Sequence, residues 1–307
     1  MALGIGDDAA LLDVTPGQQL VMATDTLVSG VHFPATASGH QVATRALCVN
    51  LSDMAAMGAN PRWFTLALTL PRDKANAEWL ADFSAGLGEI ARQYDVALVG
   101  GDTTSGPLTL TLSVVGEAPA GKALTRSGAS PGDSIFVTGN LGDGAAALEI
   151  VSSILENPER SDSDRLLQRF YCPQPQIQAG LKLRSVASAC IDVSDGLLAD
   201  LGHICKASAV TAVVQAEQVP IAADVRQVSP LDALEWALCG GDDYQLCFTV
   251  APTQLATVER WVQSGELDAS KIGIIEVSKE SINLVSVVDK NNNSLTIEKP
   301  GYNHFGH

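Results

Sequence analysis

Length, composition and charge exclude several classes of protein. The chain has 307 residues, of which 46% are hydrophobic and 18% charged, so it can fill real cores and is not a disordered or low-complexity protein. A formal net charge of −16 disfavours nucleic-acid binding, and no apolar run reaches the roughly 20 residues that span a bilayer.

The first part of the chain alternates strand-like and helix-like segments. Period-two alternation predicts strands, and apolar residues three and four positions apart predict helices. The strand at 96–99 is expected to stop at Gly100 and Gly101. The predicted strands are 19–26, 63–70, 96–99 and 108–116, and the predicted helices are 41–57 and 79–94.

A polar stretch with proline and glycine, residues 118–133, is the best candidate for a linker. Beyond it, strands are predicted at 134–138, 190–193, 245–250, 272–277 and 284–288, and helices at 143–155, 163–170, 174–189 and 197–207. The length favours two domains over one. We therefore expect two α+β domains, residues 1–125 and 126–307, that face each other across a cleft.

The six cysteines are far apart in the sequence and form no C-x-x-C pair. No histidine stands at zinc-ligand spacing from them, and several lie in apolar stretches. Buried reduced thiols are therefore expected rather than disulfides or a zinc site. Together with the lack of a secretion signal, this predicts a soluble cytoplasmic protein.

Aspartates beside glycine distinguish the acidic residues of this chain. Of the 35 acidic residues 22 are aspartate, and many stand in short glycine-rich stretches. One such stretch usually caps a helix or a turn, but several in one chain indicate a site. The stretches that contain the candidate carboxylates are 4–8, 23–25, 50–53, 100–104, 192–196 and 240–243.

A cluster of these carboxylates would need cations. Two unit charges 4 Å apart repel by about 1 kcal/mol in water and about 4 kcal/mol at an effective dielectric of 20. Oxygen ligands from Asp, Ser, Thr and the backbone suit magnesium and disfavour zinc or copper. Because magnesium commonly bridges protein carboxylates to phosphates, the pattern predicts substrates that carry phosphate groups.

The common designs for phosphate chemistry are absent from the sequence. It has no G-x-x-x-x-G-K-[ST] loop, no ordered G-x-G-x-x-G after a strand and no protein-kinase H-R-D or D-F-G pair. The run 139–144 has its glycines in another order and is expected to be a turn that caps a helix. No Ser or Cys occurs in a G-x-S-x-G setting, so direct transfer between bound phosphates remains.

The motifs, taken in order along the chain, resemble those of the thiamine-monophosphate kinase family. The resemblance rests on GIGDDAA at 4–10, TDTLV at 24–28, HF at 32–33, VNLSDMAAMGA at 49–59, GGDTT at 100–104, ALTRSGA at 123–129, IDVSDGL at 191–197 and GY at 301–302. Together these runs span nearly the whole chain.

The resemblance implies the two-domain α/β fold shared with aminoimidazole ribonucleotide synthetase and selenophosphate synthetase, with a homodimer formed through the N-terminal sheets. It also implies magnesium-dependent phosphoryl transfer from ATP to thiamine monophosphate. The implied magnesium ligands are Asp8, Thr24, Asp25, Asp53, Asp102, Asp192 and Asp195; the implied ATP contacts are Gly101, Asp102, Arg126 and Ser194; the implied contacts to thiamine monophosphate are His32, Asp242 and Tyr302.

Two positions depart from the family pattern, and two other functions stay open. Ala23 stands where relatives often have serine, and Asp242 replaces the usual glutamate, which shortens its reach by one methylene. The alternatives are another ATP-dependent synthetase of the same fold and a non-catalytic binder of thiamine phosphates or nucleotides. Against selenophosphate chemistry, no cysteine precedes Cys48.

Overall fold

A computed structural model describes residues 4–156, 164–278, 284–297 and 301. Two β-sheets with helices against them make up this part of the chain. None of its helices is long and apolar enough to cross a membrane. All six cysteines are free thiols; four are buried, as predicted, and Cys172 and Cys239 are half-buried.

The N-terminal sheet has four strands in the order β1-β4-β2-β3. β4 pairs antiparallel with both β1 and β2, and β3 runs parallel to β2, so β1 and β3 form the two edges. Alternate residues of the two inner strands, such as Leu112 and Leu66, are buried under a helix, while their neighbours face outward. The elements are β1 Gln18–Val28, α1 Gly39–Ala56, β2 Asn60–Leu70, α2 Ala77–Gln93, β3 Ala97–Ser105 and β4 Thr109–Pro119.

The C-terminal sheet has seven strands in the order β11-β10-β7-β9-β5-β8-β6. Its edge strand β6 ends at Asp192, where one of the predicted site segments begins. The strands are β5 Ser134–Thr138, β6 Ala187–Asp192, β7 Val210–Gln215, β8 Leu246–Val250, β9 Ala269–Val277, β10 Val285–Val288 and β11 Ser294–Leu295; the helices are α3 Asp143–Glu156, α4 Asp164–Tyr171, α5 Ile177–Leu183, α6 Leu197–Ser208, α7 Ala223–Val228, α8 Ala233–Cys239 and α9 Pro252–Gln263.

Helix α1 lies between the two sheets and joins them. It contacts β1, β2 and β4 on one side and α4, α5 and β6 on the other. Its run of small and apolar residues explains this position, because a helix buried on most sides has to be apolar nearly all round. One continuous core therefore includes Leu47 and Leu51 of α1, Phe64 of β2 and Phe248 of β8.

Most predicted elements are present, and two predictions are wrong. The strand predicted at 96–99 continues through both glycines to Ser105, because β3 pairs with β2 along that whole length. The helix predicted at 174–189 ends at Leu183, and Ala187 begins β6. β7, β11, α7, α8 and α9 were not predicted. The proposed boundary between residues 125 and 126 falls in the connection from β4 to β5 and stays a prediction.

The contact between α1 and α5 gives a direct test of how closely α1 packs between the two sheets. A Cβ on Gly180 of α5 would lie 2.1 Å from the carbonyl oxygen of Ala55, so Gly180→Ala has to push the helices apart. We expect it to lower the free energy of unfolding by about 1–3 kcal/mol. Gly202→Ala in α6 is the matched control, since a Cβ there meets nothing within 4 Å. Urea denaturation should show no loss for the control, and equal losses would contradict the close packing.

Candidate active site

A cavity of about 730 Å³ opens between the two sheets. Its walls come from the β1–α1 connection, one side of α1, the first turns of α3, the segment after β6 and the segment after α8. Both halves of the chain therefore contribute to it. Seven of the predicted site residues line the cavity: Asp25, His32, Asp53, Asp192, Ser194, Asp195 and, at another wall, Asp242.

Three predicted carboxylates meet on one side of this cavity. Asp25 comes from the inner face of β1, Asp53 from α1 and Asp192 from the end of β6. The side chains of Asp25 and Asp53 share a hydrogen bond, and Ser52 Oγ donates to Asp192 Oδ2 at 2.7 Å. Asn50 Oδ1 accepts from the Asp25 N–H at 3.2 Å. Helix α1 thus brings its own Asp53 beside Asp25 of the N-terminal sheet and Asp192 of the C-terminal sheet.

Burial and mutual repulsion change the acidity of these three groups. Burial, then the charges of Asp192 and Asp25, raise the pKa of Asp53 to about 8. Burial also raises the pKa of Asp25 and of Asp192. The positive charge of Arg126 opposes the rise at Asp53 and Asp192, which places the guanidinium within electrostatic reach of both. Without a cation, the group holds protons near neutral pH.

The donor set fits magnesium. The converging groups are carboxylate oxygens, with the Ser52 hydroxyl as a neighbour, and hard divalent cations take such ligands. A cation would replace the protons that the cluster otherwise needs. Among the described residues, no group of three or more His, Cys, Asp or Glu side chains is placed to hold a metal ion by itself. Any ion here would complete its coordination with water or substrate.

The segment after β6 is held by a carboxylate that the sequence analysis did not single out. Asp200 Oδ2, in the first turn of α6, accepts from the N–H groups of Ser194 and Asp195 at 3.0 Å each. Burial is the first cause that raises the pKa of Asp200 to about 7. Gly196 has φ +118°, and a Cβ there would lie 2.7 Å from the carbonyl oxygen of Cys239. Ser194 and Asp195 are therefore fixed toward the cavity.

Another wall is organised by a buried arginine of α1. Arg45 Nε donates to the carbonyl oxygen of His32 at 2.9 Å, and its Nη2 donates to Asp242 Oδ2 at 2.8 Å. The Tyr244 hydroxyl donates to Asp242 Oδ1 at 2.8 Å. Both oxygens of Asp242 are thus already hydrogen-bonded within the protein. Its direct contact with thiamine monophosphate stays a prediction.

Four other predicted site residues do not line the cavity of their own chain. Thr24 stands on the outward face of β1, where its Oγ1 is 2.9 Å from Ser113 Oγ. Asp102 shares that outward face, at the opposite edge of the sheet. Three strand spacings, about 14 Å, separate the two edges. Gly101 is the neighbour of Asp102 in β3, and Asp8 is exposed in the segment before β1. Tyr302 lies outside the described residues.

The site residues that sequence reasoning missed had weak signals. Arg45 is a lone cation in the apolar run of α1, and a buried charge of this kind needs a counter-ion. Asp200 falls in the first turn of a helix, where an acidic residue is common for other reasons. Asp243, which the sequence analysis did not assign to the site, is buried and accepts from the N–H groups of Gly142 and Gly144, at the start of α3.

Comparison with known proteins identifies relatives along nearly the whole chain. Residues 6–118 match the family model of the AIR synthase related protein, N-terminal domain, and residues 130–284 match the corresponding C-terminal domain. The thiamine-monophosphate kinase of Salmonella typhimurium is 46% identical over 303 residues, 98% of this chain and 91% of the relative. These matches confirm the predicted fold class.

Two solved structures are similar in both sequence and fold. The crystal structure of thiamine-monophosphate kinase from Stenotrophomonas maltophilia K279a is 44% identical, with a TM-score of 0.84, and the match covers 93% of this chain and 90% of the other. The structure of AaThiL complexed with AMPPCP and TMP is 31% identical, with a TM-score of 0.81, over 98% of this chain and 92% of the other.

The raised pKa of Asp53 predicts a pH-dependent effect of magnesium on stability. Folded Asp53 keeps its proton up to about pH 8, whereas the unfolded side chain releases it near 3.8. Without metal, its contribution to stability therefore falls as pH rises through that interval. Magnesium, which binds the ionised form, should raise the melting temperature more at about pH 8.5 than at about pH 6.

Thermal melts of the native protein and of Asp53→Asn, each with magnesium and with chelator at both pH values, check this shift in melting temperature. Asparagine cannot become an anion, so we expect a smaller magnesium shift that depends less on pH. An unchanged shift in the variant, or equal shifts of the native protein at both pH values, would contradict the assignment of Asp53.

Proposed function

The chain belongs to the thiamine-monophosphate kinase family of phosphotransferases, and we propose that it transfers the γ-phosphoryl group of ATP directly to thiamine monophosphate. The products would be ADP and thiamine diphosphate. We propose an in-line step that depends on magnesium and forms no covalent enzyme intermediate. A known structure of the family with AMPPCP and TMP supports this pair of substrates.

The observation that carries the proposal is the meeting of Asp25, Asp53 and Asp192 on one side of the cavity. Three carboxylates would repel two phosphate-bearing substrates unless cations intervene. Magnesium ions held there, with Asp195 as a further ligand, would offset the repulsion between the two anions and orient their phosphates. The raised pKa of Asp53 supports this role, because the cluster already favours added positive charge.

The remaining residues have simpler tasks in the proposed reaction. Ser194 is held at the cavity wall and can donate its hydroxyl to ATP, while Arg126 can donate two parallel hydrogen bonds to a phosphate. His32 lines the cavity and would contact the acceptor, as would Tyr302. No general base is required, because the attacking phosphate oxygen is already ionised near neutral pH.

We also propose that two copies pair through the outward faces of their N-terminal sheets. Leu20 and Met22 stand on this face with 50% and 67% of their surface exposed, and a partner sheet would cover them. Sheets stacked face to face lie about 10 Å apart, so a pairing that sets β1 of one copy opposite β3 of the other would let the outward side chains of Thr24 and Asp102 approach each other across the interface. Gly101 and Asp102 would then serve the other copy's site.

Turnover tests the function. Protein with ATP, thiamine monophosphate and magnesium should yield ADP and thiamine diphosphate in equal amounts by chromatography. Asp192→Asn should lower kcat about a hundredfold or more, because it removes a ligand of the ions that stabilise the transferring group. Asp73→Asn, at an exposed turn, is the control. Tight binding of both substrates without product would instead identify a non-catalytic binder.

Mixing two inactive variants tests whether sites are shared between copies. Asp53→Asn and Asp102→Asn should each be nearly inactive alone. If Asp102 serves the partner's site, half of the randomly mixed dimers carry one intact site, so co-refolded protein should regain about a quarter of native activity. If both variants are inactive alone and the mixture stays at their level, Asp102 acts within its own chain.

A further inference from the structure

Arg45 is the most completely buried cation in the cavity wall. Its side chain is 3% exposed, although it belongs to a helix whose neighbours are apolar. A buried guanidinium that lacks partners is strongly unfavourable, so its contacts show what holds it. Each of its three nitrogen atoms donates a hydrogen bond.

Those three hydrogen bonds reach three separate segments of the chain. Nε binds the carbonyl oxygen of His32 in the β1–α1 connection at 2.9 Å. Nη1 binds the carbonyl oxygen of Phe170, near the end of α4, at 2.6 Å, and the guanidinium carbon lies 4.2 Å from the centre of the Phe170 ring. Nη2 binds the carboxylate of Asp242 at 2.8 Å. One planar group thus ties α1 to both domains.

The segment around Asp242 needs such an anchor. Asp242 has φ +68° and Tyr244 has φ +52°, backbone conformations that residues other than glycine rarely adopt. Conformations of this kind persist where the surroundings hold them in place. Here the carboxylate of Asp242 is held by Arg45 on one oxygen and by the Tyr244 hydroxyl on the other. Loss of the guanidinium would leave that carboxylate with one partner in a strained segment.

We propose that Arg45 is a positioning residue for the acceptor half of the cavity. The inference rests on the proposed function, which assigns His32 and Asp242 to thiamine monophosphate. Arg45 fixes the backbone of the first and the carboxylate of the second. None of its three hydrogen bonds reaches Asp25, Asp53 or Ser194, so its effect falls on the acceptor rather than on ATP.

Arg45→Met and Arg45→Lys separate positioning from general stability. Methionine keeps most of the apolar stem but makes no hydrogen bond. Lysine restores the charge opposite Asp242, but its single nitrogen cannot reproduce the planar fork. Arg165→Met is the control, because Arg165 pairs with Asp143 and Asp224 outside the cavity lining.

Calorimetry with thiamine monophosphate and with a non-hydrolysable ATP analogue, each in magnesium, gives the readout. We expect Arg45→Met to raise the Kd for thiamine monophosphate by about tenfold or more and the Kd for the analogue by no more than about twofold. Arg45→Lys should fall between Arg45→Met and the native protein. Arg165→Met should lower the melting temperature and leave both Kd values unchanged.

Equal losses for both ligands, or native binding of thiamine monophosphate by Arg45→Met, would overturn the inference. If Arg45→Met does not fold, Arg45→Lys and Tyr244→Phe decide in the same way, since Tyr244→Phe removes the other hydrogen bond to Asp242. Binding requires no turnover, so the two proposals can fail separately. A native protein that does not bind thiamine monophosphate would contradict the proposed function, and with it this inference.

Discussion

The structure depends on holding three carboxylates close together where water is partly excluded. Each of Asp25, Asp53 and Asp192 comes from a different element, and the last belongs to the other sheet. Without cations, three carboxylates this close either repel one another or stay protonated. The apolar packing of α1 against both sheets provides the opposing force, and the Ser52–Asp192 hydrogen bond fixes the join between the two domains. The site exists because the domain interface is tight.

Helix α1 performs a second task from the same position. One side presents Asn50 and Asp53 to β1, while Arg45, two turns earlier, faces the β1–α1 connection and the segment after α8. The same helix thus supports the wall that holds the three carboxylates and the wall that contains Asp242. Because both walls depend on one rigid element, the distance between them is set by packing rather than by loops.

Much of the fold and part of the site followed from the sequence. Periodicity located β1, α1 and β5 closely because each has a regular apolar pattern. It failed where pairing overrides local signals, as in β3, which runs through two glycines because β2 lies alongside it. It also failed after α5, where residues 187–189 were read as the end of a helix and proved to be the first part of β6, whose last residues 190–192 had been predicted as strand.

For the site, too, some residues were predicted from the sequence and others were not. Aspartates beside glycine at strand ends predicted the group around Asp192, because such turns place carboxylates at the edge of a sheet. Sequence could not reveal that Thr24 and Asp102 face away from that group, since the outward or inward direction depends on register. Nor could it identify Arg45 or Asp200, whose roles arise from contacts with distant or backbone partners.

Anomalous diffraction from crystals grown with manganese, a non-hydrolysable ATP analogue and thiamine monophosphate would test the central claim most directly. The account predicts anomalous peaks about 2 Å from carboxylate oxygens of Asp25, Asp53 and Asp192, between the two bound phosphate groups. Density for both ligands with no peak beside these carboxylates would contradict it.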